Sequence, residues 1–115
     1  MRMNTTDTKK PTELFTAWNE TLPHLLNDGD SVNIQLDEAN SSRLRIHINA
    51  AGHSGYTFDF TCLYVDDREV KVELVDVEKD GVHVDEHTEI IQSLIEDYVR
   101  HIHECTQILQ RITHH

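Results

Sequence analysis

The chain has 115 residues, 37 % of them hydrophobic, and a formal net charge of −11. That length suits one domain able to bury roughly two-thirds of its unfolded surface, which excludes disorder of the whole chain. The charge disfavours direct contact with nucleic acid or with an anionic membrane, since both present phosphates that an acidic surface repels.

Residues 1–10 are polar and aperiodic and predict a disordered tail, leaving 11–115 as a single α+β domain. The N-terminus MRMNTTDTKK has no apolar stretch of the secretory kind, and no run approaches the ~20 apolar residues of a membrane span. With only Cys62 and Cys105 present, the expectation is a cytoplasmic protein with reduced, buried thiols.

Residues 11–27 predict a helix. Pro11 suits a first helical position, and Leu14, Phe15, Trp18, Leu22, Leu25 and Leu26 recur at helical spacing. Pro23 removes a backbone donor and clashes one turn back, so a kink or restart is expected near Leu22. Asn27 to Asp30, with Gly29 inside, marks a stop and turn.

Four alternating segments follow. Val32, Ile34 and Leu36 form the first; Leu44, Ile46 and Ile48 the second; Tyr56, Phe58, Phe60, Cys62 and Tyr64 the third; Val70, Val72 and Leu74 the fourth. Period two with short connections predicts an antiparallel meander with one face buried. The apolar phase slips by one after Leu74, where Val75 and Val77 take over, and a β-bulge there accounts for the slip. Asp80-Gly81 is a two-residue turn signal, and Val82 and Val84 then suit a short fifth strand.

The last segment predicts a long C-terminal helix packed on one sheet face. It is expected to start at Asp85 as N-cap and to run to about Ile112. Ile91, Ile95, Tyr98, Ile102, Cys105, Leu109 and Ile112 form its apolar stripe. At about 28 residues it would measure about 42 Å, against about 26 Å for an eight-residue strand, an overshoot of roughly three turns. Either the N-terminal helix covers the far end through Phe15, Trp18 and Leu22, or a second copy does. The first is favoured because that helix must bury its own apolar face. The second makes Ile102, Leu109 and Ile112 a homodimer surface.

No catalytic or metal motif emerges. His83, Asp85 and His87 lie close together with Glu86 and Glu89 nearby, and His101 and Cys105 are four apart on a helix. Neither set comes with the further ligands a zinc site needs, so no metal and no cofactor are expected. No Ser or Cys stands beside a base with an orienting acid, and no glycine-rich phosphate loop can be written. Two surfaces remain. From Asp66 to Asp97 there are twelve acids against three bases, a local net of −9. Arg43, Arg45 and His47, on the polar side of the second strand, form a basic island facing Asp59, Thr57 or Thr61, Lys71 and Glu73.

The first functional expectation is a non-enzymatic protein-interaction or regulatory module. In its sharper form, Asp66, Asp67 and Glu69 imitate nucleic acid and occupy the cleft of a basic nucleic-acid-binding protein. The alternative is a small anionic-ligand binder, or a minor enzyme, using Arg43, Arg45 and His47. A concave surface at those residues favours the alternative; a flat one counts against it.

Overall fold

The structure, a computed structural model, describes residues 11–40, 42–50, 55–66, 69–85 and 87–113. The expected tail at 1–10, Asp67, and the side chain of Ile112 lie outside the described residues. Helix α1 spans Pro11–Thr21 and gives way to a single 3-10 turn at Leu22–His24. Pro23 is the cause. It has no N–H to give to Asn19 and its ring crowds that carbonyl, so the chain tightens, with the Leu25 N–H bonding the Leu22 carbonyl at 2.9 Å.

Strands β1 (Ser31–Leu36), β2 (Arg43–Asn49), β3 (Tyr56–Tyr64), β4 (Val70–Lys79) and β5 (Val82–His83) form one antiparallel sheet in sequential order. Register explains the buried face. Ile34, Ile46, Phe60 and Leu74 stand in one row across the sheet, and Ile48, Phe58 and Val77 in the next. The pairing shifts between Asp59, opposite Asp76, and Phe60, opposite Leu74. Val75 is the extra residue of the bulge. The shift returns Val77 to the core, where it is fully buried. Asp80 and Gly81, with φ of 54° and 84°, make the tight turn into β5.

Helix α2 spans Glu89–Thr113. Its start corrects the expectation of an N-cap at Asp85. The Asp85 carboxylate instead accepts the N–H of His87 at 2.9 Å in a local turn, and the Thr88 carbonyl takes the Gln92 N–H, also at 2.9 Å.

Both helices lie on the apolar face. Tyr98 and Phe58 rings pack with centroids 5.1 Å apart, and the Tyr98 hydroxyl reaches Asp30 Oδ2 at 3.3 Å, tying α2 to the turn before β1. Ile102, Cys105 and Leu109 are buried in the same core as Trp18 and Leu22. Those three residues are therefore covered within one chain, and Ile102 and Leu109 are not a free surface for a second copy. The overshoot is smaller than expected: the helix has 25 residues, about 37 Å, against about 33 Å for the 10 residues of β4 and about 23 Å for the 7 of β2.

Candidate functional site

With both helices on one side, the other face of the sheet is uncovered. Its side chains stand in rungs set by the register. One rung runs Asn33, His47, Asp59, Asp76; the next runs Gln35, Arg45, Thr61, Glu73. Over these two rungs lies a hollow of about 420 Å³, lined among others by Arg45, His47, Asp59, Thr61 and Asp76. A bulged strand bends and twists more strongly, and Val75, 61 % exposed, projects on this face beside Asp76. The bulge thus falls at the edge of the hollow.

Most of the charges near the hollow are arranged in pairs among the described residues. His47 Nδ1 lies 2.6 Å from Asp59 Oδ1. His83 Nδ1 lies 2.5 Å from Asp76 Oδ1, and this bond holds the Asp76 carboxyl below its usual range. Lys71 and Glu73 approach to 3.9 Å. Arg43 meets Asp37 Oδ2 at 3.5 Å; the Asp37 carboxyl sits low chiefly because it accepts the Ala39 N–H, with Arg43 adding to the effect. Arg45 is not paired. It is exposed, and among the described residues its side chain has neither an ion pair nor a hydrogen bond.

The expected basic trio thus separates. Arg45 and His47 line the hollow, whereas Arg43 turns to Asp37 and does not. The sequence reading missed Asp76, Asn33 and Gln35. For Asp76 a signal was present: the phase slip after Leu74 puts it on the open face, opposite Asp59. The other candidates stay apart from the hollow. Asp66 and Glu69 are exposed in the β3–β4 turn, where the Asp66 carboxylate accepts the Glu69 N–H at 2.7 Å.

His101 Nδ1 meets Glu104 at 2.8 Å while Cys105 faces the core, so the two do not share a site. Among the described residues no group of three or more His, Cys, Asp or Glu is placed to hold a metal ion. Cys62 and Cys105 are free and buried, and burial pushes both thiols up to about 12, which leaves no thiolate for nucleophilic chemistry near neutral pH.

Comparisons with protein-family models, with curated proteins and with solved structures found no match to this chain. No helix among the described residues is long and apolar enough to cross a membrane.

Proposed function

We propose that the protein is a non-enzymatic binding module and that the open sheet face is its binding surface, taking a small ligand with an anionic group. The observation that carries this is Arg45, a guanidinium with no partner among the described residues, standing in a hollow of about 420 Å³. A planar guanidinium offers a paired N–H fork to a carboxylate or phosphate, and a concave, partly water-excluding floor strengthens that contact over one on a flat surface. His47, oriented by Asp59, and the side chains of Gln35 and Thr61 add hydrogen-bonding positions around it.

The test is a titration of the full chain, followed by amide NMR, with butyrate and with inorganic phosphate. Saturable shifts confined to β2, β3 and β4 around Arg45, lost in Arg45→Ala, are expected. Scattered shifts that survive Arg45→Ala would defeat the reading.

A second reading, an acidic surface for a basic nucleic-acid-binding partner, draws support from the charge of residues 66–97. Its acids are dispersed, however. Asp66 and Glu69 sit in the β3–β4 turn, Glu73 and Asp76 on the open face, and Glu96 and Asp97 on α2. Salt-sensitive capture of a basic protein, weakened by neutralising Asp66 and Glu69, is the outcome that reading requires.

A further inference from the structure

We infer that the hollow is built for a small zwitterion, a molecule with a carboxylate at one end and an ammonium at the other; this rests on the binding reading above and names the ligand class. The lining carries both signs. Arg45 shares its rung with Gln35, Thr61 and, beyond the hollow, Glu73, which Lys71 approaches; Asp59 stands opposite Asp76 on the neighbouring rung, with His47 beside it. These two rungs are two residues apart along β2 and β3, about 6.6 Å, and three apart along β4, where Val75 is the extra residue. A cationic end and an anionic end therefore sit side by side on one floor.

Each half disfavours a ligand of single charge. A phosphate dianion seated on Arg45 lies one rung from two carboxylates, and a simple cation seated on the carboxylates lies one rung from the guanidinium. A molecule bearing both charges meets both ends favourably. The aspartate end also has an opening of its own. His47 occupies Oδ1 of Asp59, and among the described residues Oδ2 accepts no hydrogen bond. An ammonium there offsets the repulsion of two carboxylates placed directly across strands. Val75 supplies an apolar side against which a short methylene chain can lie.

The experiment titrates the full chain separately with γ-aminobutyrate, butyrate, butylammonium and inorganic phosphate, read by amide NMR. The zwitterion is expected to bind at least about tenfold more tightly than any of the other three. Arg45→Ala should abolish its binding, and Asp59→Asn should reduce its affinity to that of butyrate. Butyrate or phosphate binding as tightly as γ-aminobutyrate, and still lost in Arg45→Ala, overturns the zwitterion assignment and leaves an anion-binding module. Butylammonium as the tightest ligand, or no response to any of the four, overturns both.

Discussion

Trp18 donates its indole N–H to the hydroxyl of Tyr64 at 3.1 Å, joining α1 to the end of β3 across 46 residues of sequence. Trp18 is fully buried, so this bond keeps a desolvated donor satisfied while the ring fills part of the core.

That contact makes two substitutions separable. Tyr64→Phe removes the acceptor and leaves the indole N–H buried and unpaired, with an expected loss of about 1–3 kcal/mol. Trp18→Ala removes the ring as well and should cost about 3–5 kcal/mol. Urea unfolding of both variants measures this, and a Tyr64→Phe variant as stable as the parent would refute the bond.

The buried thiols set an alkaline limit. In the folded chain Cys62 and Cys105 are raised from 9.0 to about 12, so the native state holds the neutral thiols more tightly than the unfolded state does. Their stabilisation is complete below pH 9 and is lost as pH rises from 9 toward 12. At about 1.4 kcal/mol per unit, two thiols account for several kcal/mol. Burial raises Tyr64 and Tyr98 as well, which extends the same limb. Unfolding free energies that stay level from pH 8 to 11, about two units across the thiol range, would contradict this.

At the acid end the sign reverses. Asp76 is lowered from 3.8, chiefly by the bond from His83, so its contribution is present above that value and fades as pH falls through the lower folded one. In His83→Ala the Asp76 carboxyl carbon should titrate at higher pH than in the parent. An unchanged midpoint would show that the bond is not made in solution.

Val75 tests whether the bulge shapes the hollow. Deleting it places Asp76 directly after Leu74 and restores regular alternation, with Leu74 still opposite Phe60 and Asp76 still opposite Asp59. The deleted chain should fold with stability within about 1 kcal/mol of the parent, since the lost side chain is exposed. It should nevertheless lose ligand binding at Arg45. Binding that survives the deletion removes the bulge from the account.

Gly55 carries a backbone constraint. Its φ is +86°, and a Cβ placed there would lie 2.2 Å from Asp80 Oδ1, where the Asp80 N–H also bonds the Gly55 carbonyl at 2.8 Å. The Asp80 side chain can swing aside, but the left-handed backbone cannot be relieved that way. Gly55→Ala should therefore cost about 1–2 kcal/mol, measured by thermal melting.

Much of this architecture was legible one residue at a time. The period-two segments, the break at Pro23, the slip after Leu74 and the Asp80-Gly81 turn are local consequences of side-chain spacing, ring geometry and turn chemistry, and each has its counterpart in the structure. The position of Arg45 and His47 on the uncovered face follows from the same alternation.

What only the tertiary structure decided are the relationships between strands and helices. That Arg43 turns to Asp37 while Arg45 stays unpaired depends on which residues the loop after β1 brings within reach. That Asp76 faces Asp59 depends on where the bulge falls against β3. Helix α2 begins at Glu89 rather than beside Asp85, whose carboxylate takes the His87 N–H, and Ile102 and Leu109 are buried with the chain's own Trp18 and Leu22, because a single core closes over both helices. Spacing along a chain settles which way a side chain points; what it meets there is set by contacts between residues far apart in sequence, which no local period encodes.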